Sequence, residues 1–152
     1  MIDQCDVRIC IGGRTCEYKG IMPGVLEEIM IALQKDKPLL LLGGFGGLVG
    51  SVCDIIRGKA VEVISRDWQI EHTRGYAKLL ANLKAVGVDV DYGKMVSQLR
   101  NVSISGLASR SGLEEDEYRV LMESEYVEEC VLLVNKCLAN VKNARKESFN
   151  GK

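Results

Sequence analysis

The chain has 152 residues, with 20 basic against 21 acidic side chains and 47% hydrophobic content. That length suits one domain, which buries roughly 70% of the surface its unfolded chain exposes. A net charge of −1 with both signs interspersed excludes bulk electrostatic binding to nucleic acid or to an anionic membrane.

Val7-Arg8-Ile9-Cys10-Ile11 is a short β-branched alternation and predicts a strand ending at Gly12-Gly13. A polar loop, 14–22, leads to Pro23-Gly24. Proline is preorganised at the first helical position, where its missing N–H would be unpaired anyway. Leu26, Ile29, Met30 and Leu33 then follow at helical spacing to about Lys35. Lys37-Pro38 stops that helix. With Gly43-Gly44 behind it, Leu39–Leu42 has room only for a buried strand. Strand, helix and strand make one βαβ crossover, so the two strands are expected parallel with a right-handed connection.

Gly43-Gly44-Phe45-Gly46-Gly47 opens a second helix, over about 48–57. Residues 60–65 read as a third strand or an extended link. One helix is expected over about 70–86, ended by Gly87 as its cap, and others over 92–99, 114–122 and 126–144. The last carries Val127, Val131, Val134, Leu138 and Val141 on one stripe. The small-residue segment 103–112 reads as a surface connection or a third ligand loop. Residues 1–147 are expected to form the domain and 148–152 a frayed tail. The fold class is α/β, a parallel sheet flanked by helices.

The first residues, Met1 to Asp6, have neither the basic start nor the apolar run of a signal peptide, which points to the cytoplasm. The longest apolar run is far too short to span a bilayer. Cys5, Cys10, Cys16, Cys53, Cys130 and Cys137 form no Cys-x-x-Cys pair and read as reduced thiols, mostly buried. His72 is the lone histidine, so no zinc site, and no other cofactor, is expected. Nor does His72 have a carboxylate or serine partner at a triad spacing.

In a parallel α/β sheet, ligands bind beyond the carboxyl ends of the strands. Both strands finish in a glycine pair, so Gly12-Gly13 and Gly43-Gly44 are expected on that edge. Glycine permits positive φ and lets another molecule approach the backbone. A helix starts after each turn, and its free N–H groups favour an anion. The run Gly44-x-Gly46-x-x-x-Gly50 is not the dinucleotide fingerprint, and no Gly-Lys-Ser/Thr follows to make a P-loop. The plain alternative is that these glycines only make tight turns. Arg14 follows the first pair and is a candidate for bidentate contact with a phosphate; Lys19 is a second cation on the loop. Glu27 and Glu28 suit the start of a helix, and one of them is a candidate acceptor for a ribose hydroxyl. Trp68, Tyr76 and Tyr92 either cover the pocket or pack the core.

The string Ile11-Gly-Gly-Arg14-x4-Lys19-Gly20-x-Met22-Pro23-Gly24-x-x-Glu27-Glu28, followed by Lys37-Pro38-Leu39-x-Leu41-Leu42-Gly43-Gly44-Phe45-Gly46-Gly47, resembles the SLOG (SMF/DprA–LOG) superfamily of Rossmann-like nucleotide-ligand domains. It is most similar to the branch associated with bacterial defence, where such domains are joined to TIR or sirtuin-type effectors. The resemblance implies a Rossmann-like fold and an ADP-ribose-like or other phosphorylated nucleoside ligand. It implies Gly12, Gly13, Arg14, Lys19, Gly24, Glu28, Gly43, Gly44, Phe45, Gly46 and Gly47 as ligand-binding residues. Homo-oligomerisation, or control of an attached effector, is the implied use of that binding.

The related LONELY GUY enzymes hydrolyse nucleoside monophosphates, and Glu28 falls where their motif has its catalytic glutamate. Two departures weigh against the enzyme. The Arg14 to Met22 loop separates the Gly-Gly from the Pro-Gly, and Arg8 lacks the context of the enzymes' catalytic arginine. The family's upstream half, with its first phosphate loop, does not precede the first strand. The sequence is therefore expected to be the carboxy-terminal part of a full SLOG domain or a minimal form. A ligand sensor, a nucleotide N-glycosidase and an interaction domain that binds no ligand are the three functions to separate.

Overall fold

A computed structural model describes residues 5–150. Strand β1 spans Arg8–Ile11, helix α1 Gly24–Gln34, and strand β2 Leu39–Leu42. The strands are parallel and in register from Arg8 opposite Leu39 to Ile11 opposite Leu42, forming a two-stranded sheet. A 3-10 turn over Gly43–Phe45 leads into α2, Gly47–Ile56. Then come α3 (Arg66–His72), α4 (Tyr76–Ala85), α5 (Tyr92–Arg100), α6 (Ile104–Arg110), α7 (Glu115–Glu123) and α8 (Val127–Asn150). The fold is α/β and Rossmann-like, with the small parallel sheet among many helices.

The four leucines of β2 are all buried, and α1, α2, α6 and α7 pack on that strand. Burying each leucine contributes about 1.5–3 kcal/mol. The outer side of β2 is closed by side chains in place of a third strand. Tyr118 donates from its hydroxyl to the Leu39 carbonyl at 2.5 Å, and Ser111 Oγ donates to the same oxygen at 3.4 Å. Residues 60–65 form a bent link. On β1, Cys10 is buried while Ile9 and Ile11 are 41% and 52% exposed.

Two helical expectations need correction. The single helix over 70–86 is two helices, because Gly75 takes φ +76° and turns the chain between α3 and α4. Segment 103–112 is largely helix α6 rather than a loop. Ser103 caps it by accepting from the Gly106 N–H at 3.2 Å, and Leu107 and Ala108 bury its inner side. Small residues concealed a short amphipathic turn. Gly87 does end α4, at φ +79°. Helix α8 takes in Ser148–Asn150, and residues 151 and 152 lie outside the described ones. Among the described residues, no helix is long and apolar enough to cross a membrane.

Candidate functional site

The glycine turns after β1 and β2 lock together at the carboxyl edge of the sheet. Gly12 and Gly13 hold φ +59° and +96°, which turns their carbonyls toward α2. Val49 N–H donates to the Gly12 oxygen at 2.9 Å, and Leu48 N–H to the Gly13 oxygen at 3.1 Å. A Cβ on Gly47 would lie 2.8 Å from both the Gly12 carbonyl carbon and the Gly13 oxygen, so only glycine lets the turns meet. Gly13 also sits against Val25 in the first turn of α1. Gly12, Gly13, Gly24 and Gly46–Gly47 therefore share one locality.

The two helix starts at this edge are not equivalent. The first N–H groups of α2 are already taken by the Gly12 and Gly13 carbonyls. Helix α1 begins at Pro23 with no side-chain cap, so its opening N–H groups have no such partner. A built Cβ meets nothing within 4 Å at Gly12, Gly24 or Gly46, which leaves the backbone there open to approach.

Gly43 and Gly44 do something else. A Cβ on Gly43 would lie 2.4 Å from the Met122 carbonyl oxygen, and one on Gly44 would lie 2.1 Å from that of Ser124. They are glycine because the end of α7 is seated on them. Cys53 lies behind Gly43, and burial pushes its thiol up to about 12. Phe45 packs partly buried against the core. Outside this turn lies an open polar groove of about 460 Å³, lined in part by Gly46, Ser51, Arg57 and Lys59. Arg57 bridges Asp54 at 2.5 Å and Glu123 at 2.6 Å, and Lys59 reaches Asp54 at 3.0 Å. Burial acts to raise the Asp54 pKa, but hydrogen bonds from Lys59 and Arg57 outweigh it and hold it below the usual value. Nothing in the sequence marks Ser51, Arg57 or Lys59 as neighbours of the glycine turn.

Arg14 and Lys19 lie exposed on the 14–22 loop, and neither makes an ion pair with the described residues. The loop itself is firmly held. Gln69 is fully buried and donates from Nε2 to the Thr15 and Val63 carbonyls, both at 2.8 Å. Its Oε1 accepts from the Tyr18 hydroxyl at 2.8 Å and from Thr73 Oγ1 at 3.3 Å. Tyr76 donates to the Ile21 carbonyl at 2.5 Å and meets the Tyr92 hydroxyl at 2.7 Å. Burial raises the pKa of Tyr18 and of Tyr92, so both phenols stay neutral. Tyr76 and Tyr92 thus serve the loop from beneath, and Tyr92 also lines a separate open cavity with Ser65, Arg66 and Asp91. Trp68 stacks on His72 at 4.0 Å, and His72 Nδ1 bonds the Trp68 carbonyl at 2.8 Å, an arrangement local to α3.

Glu28 is ion-paired with Arg8, at the opposite end of β1 from its glycines. Spacing between Arg8 and Glu28 gives no hint of this contact, which follows from packing α1 along β1. Among the described residues, no cluster of side chains is arranged to hold a metal ion.

No curated protein and no solved structure matches the chain. The family model described as SLOG cluster2 matches residues 1–121, from before β1 into α7, and so spans both glycine turns and the loop between them. With most of its length matched, the chain belongs to the SLOG cluster2 family.

Proposed function

We propose that the chain binds a nucleotide-derived small molecule, ADP-ribose-like or another phosphorylated nucleoside, at the carboxyl edge of its sheet. SLOG membership makes it a nucleotide-ligand domain in general terms. The observation that carries the finer reading is the uncapped start of α1 beside Gly12–Gly13, where Gly12, Gly24 and Gly46 leave open space. The phosphate would sit there, with Arg14 as its cation and Lys19 further along the loop. Six cysteines that form no disulfide suit the cytoplasm. The outer edge of β1, with Ile9 and Ile11 exposed, suits packing of another subunit or segment. Binding would then control self-association or an attached effector, a use in keeping with the resemblance to defence-linked domains.

A thermal-shift screen of a nucleotide library tests this. A ligand at a hundred times its Kd adds about 2.7 kcal/mol of stability. Arg14→Ala is expected to weaken that ligand by about 1.5–3 kcal/mol while leaving the unliganded melt unchanged. A library in which no nucleotide shifts the melt removes the reading, and unchanged affinity in the variant returns Arg14 to solvent.

N-glycosidic hydrolysis is the second reading, raised by the place of Glu28 in the motif, and the ion pair of Glu28 with Arg8 counts against it. Incubation with nucleoside monophosphates is expected to release no base. A carboxylate held by Arg8 must leave that ion pair before it takes or gives a proton. Base release that disappears in Glu28→Ala would install the enzyme instead.

A further inference from the structure

Helix α8 gives most of its surface to solvent. Among its described side chains Cys130, Leu133 and Cys137 are buried, and α7 is its principal neighbour. Beside that narrow stripe lie Val127, Val131 and Leu138, which are 56%, 50% and 43% exposed, with Val134 and Val141 partly covered. These five positions advance in alternating steps of four and three residues, the spacing of a seam between two helices. The domain's own packing leaves that seam half open. It lies beyond the residues matched by the family and is independent of the ligand reading.

Charge decides the occupant. Glu128, Asn135 and Lys142 each follow directly after a seam residue, and all three are exposed. They sit near the start, at the middle and near the end of the seam. Against a second α8 running antiparallel, Glu128 meets Lys142 of the second copy, twice by symmetry. Asn135 meets its own counterpart, and Val131 lies against Leu138. A parallel pair would instead set this flank against the partner's opposite flank, where Cys130 and Cys137 are buried in their own domain, and would leave Glu128 and Lys142 without a charge partner. We propose that α8 is a dimerisation helix whose seam is filled by α8 of a second copy of this chain, antiparallel.

Sedimentation velocity across a dilution series of the chain tests it. The unmodified chain is expected to show a concentration-dependent dimer. Val131→Glu with Leu138→Glu is expected to abolish it with an unchanged circular dichroism spectrum, since both positions are exposed. Glu128→Lys is expected to weaken the dimer about tenfold, as two attractive pairs become repulsive. Adding Lys142→Glu to that variant should restore it. An unmodified chain that stays monomeric, or a dimer indifferent to the two glutamates, overturns the proposal. So does a Glu128→Lys variant without effect, or one that Lys142→Glu fails to rescue.

Discussion

Gly44→Ala will lower the stability of the domain by at least about 3 kcal/mol, while Gly24→Ala will leave it unchanged or raise it by about 0.5–1 kcal/mol. The added methyl at Gly44 would lie 2.1 Å from the Ser124 oxygen and 2.7 Å from that of Glu123. Both are backbone atoms, so no rotamer change relieves the overlap; the junction between α7 and α8 has to move as a unit. That junction also anchors Arg57 through Glu123, so the groove beside the turn would open with it. At Gly24 the methyl meets nothing within 4 Å and the residue begins a helix, where alanine is the better former. Guanidinium unfolding midpoints measure both. A Gly44→Ala protein within about 1 kcal/mol of the parent would mean that α7 does not rest on the turn.

The contrast shows what the glycine pattern did and did not disclose. Periodicity and breakers placed β1, α1, β2 and α2 to within a residue or so, because proline and paired glycines punctuate a chain locally. A glycine, however, looks the same whether it is left bare for a ligand, for a second turn or for a helix end. Gly12, Gly24 and Gly46 are bare toward open space, Gly47 toward Gly12 and Gly13, and Gly43 and Gly44 toward residues about eighty positions later. Only the last contact is wholly non-local, and no local signal carries it. The unequal helix starts have the same origin. Both follow glycine-rich turns, yet only the fold shows Leu48 and Val49 donating to the first turn and so leaving α1 as the freer anion site.

Polar residues inside helices were the least legible of all. Gln69 sits among Trp68, Ile70 and charged neighbours, and nothing nearby distinguishes a buried amide from a solvated one. Its partners Thr15 and Tyr18 lie more than fifty positions upstream. Ser65, Gln69 and Thr73 do recur at one helical repeat, and that polar stripe facing inward is the single trace the network leaves in the sequence.

Gln69→Ala is therefore expected to unfasten the 14–22 loop and to cost about 3–5 kcal/mol of stability. The amide makes four hydrogen bonds in a site with no solvent exposure, two given to carbonyls and two accepted from hydroxyls. Truncation deprives all four partners at once, and each buried group left unpaired costs about 1–3 kcal/mol unless water enters. The loop's remaining ties run from Glu17 to Thr73 and Arg74, from Tyr18 to Tyr92 and from Ile21 to Tyr76, all on the α1 side of Thr15. Thr15 and the neighbouring Arg14 would lose their local anchor first. Amide hydrogen exchange separates this from a general loss of stability: residues 14–18 should lose protection well beyond the fall seen in β1 and β2. Leu41→Ala is the comparison, since it empties the core around β2 and should lower both regions together. If the loop keeps its protection in Gln69→Ala, the tyrosine hydroxyls alone hold it, and Arg14 is positioned from Tyr18 rather than from Thr15.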